Sequence, residues 1–118
     1  MAKPTLEIKD KDYRIWYEED NQTVFFEGKL RLASAEYRPI RDLLNAVLET
    51  EPTRVCIHIR DLAYLNSSGL TTLFRFVVSI RNKGSIDLAV RASKSVLWHS
   101  KAIANIERFF PAAEFDIL

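Results

Sequence analysis

The apolar positions change rhythm along the chain, and each rhythm marks an element. Residues 13–17 alternate weakly between apolar and polar. A turn-like Glu19-Asp20-Asn21-Gln22 follows, and residues 23–32 are dense in β-branched and aromatic side chains. Two such runs about a turn predict a β-hairpin. Gly28 falls inside the second strand, where glycine marks a bulge or the close approach of another backbone. From residue 34 to residue 50 the spacing becomes helical, with Ile40, Leu43, Leu44 and Val47 on one stripe. An interior proline removes a donor and clashes with the preceding turn. Pro39 therefore makes residues 34–37 a turn and starts the regular helix near Arg38, and Pro52 closes it.

The stretch from Arg54 to Gly84 organises the rest. Val55, Ile57 and Ile59 alternate with Cys56, His58 and Arg60, which predicts a strand. Leu70, Leu73, Phe74, Val77 and Ile80 recur at helical spacing until Gly84 stops them. Residues 61–69, from Asp61 to Gly69, read as the connection. Within Asn66-Ser67-Ser68-Gly69, Asn66 or Ser67 is the expected N-cap, since a short side-chain oxygen can accept from a first-turn amide. Ile86, Leu88 and Val90 predict another strand. Ser93 or Ser95 is expected to cap a third helix to about Ala104. Asn105 would end it, leaving residues 106–110 as a separate turn before Pro111. Residues 114–118 are the candidate last strand, and polar residues 1–11 are expected as a loose lead-in. Taken together, residues 1–118 predict one α/β domain with a mixed sheet of four to five strands and right-handed crossovers. No internal repeat, linker or low-complexity segment interrupts it.

Composition narrows the chemistry. The chain has 118 residues, 47% of them hydrophobic, enough for a core. Its 17 basic and 16 acidic residues are dispersed and leave a net charge of +1, which gives nucleic-acid binding little support. No apolar run approaches the roughly 20 residues needed to span a bilayer. The N-terminal sequence lacks the apolar core of a signal peptide, and a single cysteine fits a reducing cytoplasm. Cys56, within an apolar strand, reads as a small buried side chain rather than a reactive thiol.

Catalytic constellations are thin. A nucleophile elbow needs Gly-x-Ser-x-Gly at a strand-to-helix turn, but the residue two before Ser67 is Leu65 and two before Ser68 is Asn66. His58 lies in an expected strand and His99 in an expected helix, and nothing in the sequence joins either to Asp61 in a triad. Cys56 and His58 share a strand face without a third metal ligand. Glycine occurs only at positions 28, 69 and 84, so no phosphate-cradling loop is present. The expectation is a protein with no catalysis and no cofactor of its own.

What remains is a serine at a helix start. There a hydroxyl lies among free backbone amides at the positive end of the helix dipole. A phosphate added at that point is tolerated by its own helix and changes the surface that a partner meets. The simpler reading of Ser67, an N-cap and nothing more, stands beside it, and Ser68 has the same capping chemistry.

Three segments carry a resemblance to the STAS family, the anti-sigma-factor antagonist fold. Gly28-Lys29-Leu30-Arg31-Leu32-Ala33-Ser34-Ala35 resembles the family's Gly-Glu-Leu-Asp-hydrophobic-x-Thr-Ala segment after the second strand. Leu65-Asn66-Ser67-Ser68-Gly69-Leu70 resembles its Asp-Ser-Ser-Gly-Leu switch motif. Ile86-Asp87-Leu88-Ala89-Val90 with Ser93 is similar to its next strand and loop. The likeness covers roughly residues 13–110 and implies helices mainly on one face of the sheet. One of Phe25 and Phe26 then needs other cover, from the N-terminal segment or from a second subunit in a homodimer, on a face shared with Trp16, Cys56 and His58. The resemblance further implies a regulatory protein that binds a serine kinase of the anti-sigma type. Ser67 would be its phosphoacceptor and Ser68 the weaker candidate, with a phosphatase reversing the modification. Ser68 and Gly69 would shape the helix entry, and Thr71, Thr72 and Arg75 would line the partner surface. The family's acidic positions are Asn66 and Arg31 here, so negative charge is missing from that surface. A STAS module that binds without being phosphorylated is the alternative: a scaffold, a transporter-associated subunit, or a sensor for a small apolar or anionic ligand.

Overall fold

The computed structural model describes residues 6–118. Strands β1 (Glu7–Lys9), β2 (Tyr13–Glu18) and β3 (Thr23–Leu30) form an antiparallel meander. A 3-10 turn, Ser34–Tyr37, leads into α1 (Arg38–Glu49), with Pro39 in its first turn as expected. Strand β4 (Arg54–Leu65), α2 (Ser67–Lys83), β5 (Asp87–Ala92), α3 (Leu97–Phe109) and β6 (Glu114–Ile117) complete the chain. From β3 to β6 each strand lies parallel to the next, and the sheet order follows the sequence order. A right-handed crossover repeated in one direction places every helix on the same face. The buried residues of all three helices accordingly join the inward residues of the strands in one core: Ile40, Leu44 and Val47 of α1, Phe76, Val77 and Ile80 of α2, and Ile103 and Ile106 of α3 meet Ile15, Val24, Phe26, Val55, Ile57 and Ile59.

Three expectations need correction. The sheet has six strands, not four to five. The extra strand, β1, lies in the segment expected to be a loose lead-in, whose residues 1–5 fall outside the described ones. Three residues with one apolar side chain carry no readable period. What orders them is pairing with β2, where Ile8 faces Ile15 and Glu7 bonds to Arg14. Second, β4 continues through Asp61 to Leu65, so the expected connection over residues 61–69 shrinks to Asn66 alone. A register slip against β3 between Phe25 and Glu27 lets Ile59 and Leu62, three apart, both enter the core. Third, α3 starts after Val96 and runs unbroken to Phe109. Asn105 does not stop it, because buried Ala102, Ile103 and Ile106 carry the helical face across that position.

The helix-free face carries a row in register across the sheet: Glu7, Trp16, Phe25, His58, Arg91 and Asp116. Trp16 stacks on Phe25 at 4.8 Å between ring centroids, Phe25 meets His58 at 4.9 Å, and the Arg14 guanidinium lies 3.9 Å from the Trp16 ring centre. Phe26 points into the core and Phe25 away from it, so neighbouring side chains supply part of the cover that Phe25 requires. Cys56 is buried. Burial, with Arg60 and Arg91 adding to it, holds the His58 imidazole below its ordinary pKa against the opposing pull of Asp61.

Candidate functional site

The site is built where β4 hands over to α2. Asn66 adopts an extended conformation (φ −79°, ψ 177°), and its Oδ1 accepts from Gly69 N–H at 3.0 Å. The same oxygen accepts from the Tyr37 hydroxyl at 2.5 Å, and Nδ2 donates to the Leu32 carbonyl at 2.8 Å. The backbone N–H of Asn66 reaches the Leu30 carbonyl, extending the ladder from β3. Asn66 thus ties together the end of β3, the 3-10 turn and the first turn of α2. An aspartate would keep the two accepting roles but has no proton for Leu32, so the arrangement calls for the amide. Tyr37 is 1% exposed, and burial raises its phenol pKa above the ordinary value, so it remains a donor.

Gly69 is required by the same arrangement. A Cβ there would fall 2.3 Å from Leu65 Cδ1 and 2.6 Å from the Tyr37 hydroxyl. Gly69 therefore leaves the space that the Tyr37–Asn66 pair and Leu65 occupy.

With Asn66 as the cap, Ser67 is released from that duty. It occupies the first position of α2, is exposed, and its hydroxyl has no hydrogen-bond partner among the described residues. Ser68 differs: it is half-buried, and its Oγ lies 2.8 Å from Ser34 Oγ. Thr71 and Thr72 turn their hydroxyl protons back to the carbonyls of Ser67 and Ser68 at 3.1 and 3.0 Å. Ser34, Arg41, Ser68, Thr71, Thr72 and Arg75 surround one hollow of about 140 Å³ between α1 and α2.

On the outward side of α2, Leu70, Phe74 and Val78 form a half-buried apolar stripe that begins beside Ser67. With Phe109 of α3, which is 46% exposed, they line an open groove of about 510 Å³. Helical spacing puts positions 67, 70, 71, 74 and 78 on neighbouring parts of one face.

Two of the residues singled out in the sequence lie elsewhere. Asp61 is exposed on β4, in register with Glu27. Arg31 lines a separate hollow with Asp12, Tyr13, Lys29 and Leu32, its guanidinium 5.0 Å from the Tyr64 ring centre. Conversely, sequence reasoning passed over Tyr37 and Arg41. Tyr37 enters there only as the last residue of the turn before the helix, and Arg41 does not enter. No local signal reports that a turn 29 residues upstream supplies the partner of Asn66.

The histidines do not join the serines. Nδ1 of His99 accepts from Ser93 N–H at 3.0 Å and Nε2 lies 2.9 Å from the Leu62 carbonyl, so the ring is a neutral Nε2–H tautomer with both nitrogens occupied. Burial lowers its pKa, opposed by the bond to the Leu62 carbonyl. No family model and no curated protein matches the sequence.

Proposed function

We propose that this protein is a STAS-like regulatory module of the anti-sigma-factor antagonist type. It works by binding a partner protein, with Ser67 as the phosphorylation switch. The observation that carries the reading is the division of labour at the helix start. Asn66 does the capping, so the N-cap explanation, which accounts for most serines at such positions, leaves the exposed Ser67 hydroxyl without a structural task.

The surroundings give the switch a mechanism. A phosphate on Ser67 adds about −1.5 to −2 charges at pH 7. Its own helix tolerates them, because the positive end of the dipole faces them. A partner seated on Leu70, Phe74 and Val78 meets them at the rim of an apolar contact, where an acidic or apolar facing surface loses affinity. The partner is accordingly a serine kinase of the anti-sigma type, with a phosphatase restoring the unmodified state, in a cytoplasmic setting. The alternative is a module that binds without modification. It is favoured by the amide of Asn66, whose donor role belongs to the fold and leaves no acidic group before the serine.

Incubation of the protein with ATP and a candidate partner kinase tests the reading. The expected result is a single phosphate mass increment on Ser67, abolished in Ser67→Ala and retained in Ser68→Ala, with the phosphorylated form released from the kinase. Persistent labelling in Ser67→Ala, or labelling that leaves the complex intact, overturns the switch.

A further inference from the structure

The hollow between α1 and α2 shares Ser68, Thr71, Thr72 and Arg75 with the switch reading but adds Ser34 and Arg41, and with them a chemistry of its own. Arg41 and Arg75 both line it, one from each helix. The ion pairs among the described residues are Arg14–Glu7, Arg54–Glu114 and Arg60–Asp116, and neither Arg41 nor Arg75 belongs to one. Neither guanidinium has a hydrogen-bond partner among the described residues either. Arg41 is half-buried and Arg75 exposed, so the pair stands at the rim of the hollow with one guanidinium only partly solvated.

The remaining wall is hydroxylic: Ser34, Ser68, Thr71 and Thr72. The two threonine protons are spent on carbonyls. The Ser34–Ser68 pair uses one proton internally, which leaves its other proton for an acceptor in the hollow. No carboxylate lines the hollow. Two planar guanidiniums and one hydroxyl proton along one hollow, without an acidic group, supply donors for a tetrahedral oxyanion. The volume of about 140 Å³ is ample for one. A second hollow of about 240 Å³ adjoins it, lined by the same two arginines with Leu44, Asn45, Phe76 and Ser79, and offers room for an organic carrier.

The geometry points to a binding site for the phosphate group of a small diffusible ligand, held by Arg41, Arg75 and the Ser34–Ser68 hydroxyl pair. The two serines bond to each other and Ser68 is recessed. The hollow is therefore suited to receive an oxyanion rather than to offer a hydroxyl for modification. The site is separate from Ser67 and stands whether or not Ser67 is phosphorylated.

Titration of the unmodified full chain with inorganic phosphate at constant ionic strength, followed by amide and arginine Nε NMR shifts, tests this; intact mass first establishes that no phosphoester is present. The expected result is saturable shifts confined to residues around Ser34, Arg41, Ser68 and Arg75, absent with chloride. Arg41→Gln and Arg75→Gln should each weaken binding about tenfold, the scale of one lost charge-assisted hydrogen bond. Ser67→Ala should leave it unchanged, which separates a failure of this site from a failure of the switch. Shifts that do not saturate, that spread over the surface, that chloride reproduces, or that survive in both arginine variants overturn the site.

Discussion

Asn66 can be tested as the joint of the site by a double-mutant cycle with Tyr37. Asn66→Ala removes three interactions at once: Gly69 N–H at 3.0 Å, the Tyr37 hydroxyl at 2.5 Å and the Leu32 carbonyl at 2.8 Å. Loss of an asparagine N-cap costs about 1 kcal/mol. The Tyr37 hydroxyl, on a side chain that is 1% exposed, is left without its acceptor, which adds about 1–3 kcal/mol. The Leu32 carbonyl lies nearer solvent and regains water, so it adds little. The sum is a loss of about 2–4 kcal/mol, a large share of the 5–15 kcal/mol typical of a domain. Tyr37→Phe removes only the donor, and Asn66 Oδ1 keeps Gly69, so its cost is about 1 kcal/mol.

In the double variant the orphaned hydroxyl no longer exists. The two losses should then fall short of additivity by at least about 1 kcal/mol, well outside the 0.3–0.5 kcal/mol scatter of independent sites. Urea unfolding of the four proteins measures this, with unchanged slopes showing that the unfolded state is comparable. Additive losses, or an Asn66→Ala cost below about 0.5 kcal/mol, would refute the assignment of Asn66 as cap and tether.

The remaining predictions concern backbone and protonation. Gly28 has φ +94°, and a Cβ there would lie 2.2 Å from the Asp12 carbonyl oxygen, so Gly28→Ala meets immovable backbone and should lower the urea midpoint by the equivalent of at least about 2 kcal/mol. Gly69→Ala meets side-chain atoms that can shift; its loss should be about 1–3 kcal/mol and should shrink when combined with Tyr37→Phe. His99 is neutral in the fold with a lowered pKa, while the unfolded chain gains a proton near pH 6.5. The unfolded state therefore binds more protons below that pH. Stability is fully present above about 6.5 and should decline as pH falls toward the lowered folded value. The urea midpoint measured from pH 7.5 to 5 should drop in the parent, drop less in His99→Gln and in His58→Gln, since burial holds both imidazoles below their ordinary value, and be most nearly level in the double variant. A parent midpoint that is level over that range refutes the tautomer and burial argument.

Elements whose own residues decide them were legible in the sequence. The stripe of α1, the alternation in β4, the Gly84 stop and the Pro39 boundary each follow from a local rule, and all four lie where the rules place them. The misses share one cause, which is pairing with distant chain. Strand β1 exists because β2 offers an edge, and β4 outlasts its apolar alternation because the β3 ladder extends alongside Asp61 and Tyr64. Helix α3 passes Asn105 because the core holds its other face. The site divides in the same way. That a helix cap lies at Asn66 or Ser67 is read from four consecutive letters, whereas the choice of Asn66 is fixed by Tyr37 and Leu32, which, like Arg41, come from distant chain.

The topology also bears on what kind of site this fold can offer. In open parallel sheets, ligand crevices form outside the carboxyl ends of strands where the strand order reverses and helices part to opposite faces. Here β3 to β6 never reverse, and their connecting helices stay on one face. The carboxyl ends of β3 and β4 therefore meet a continuous helix layer instead of a cleft. Ser67 at the entry of α2 lies on the surface, beside an apolar groove and a basic hollow that lie between adjacent helices. Chemistry displayed this way is poorly shielded from water, whereas acid–base and nucleophilic catalysis gain from desolvation. Recognition has no such requirement: a convex helix start can be docked, charged and released. The strand order thus gives this fold hollows on its surface between adjacent helices rather than a crevice at a switch point of the sheet.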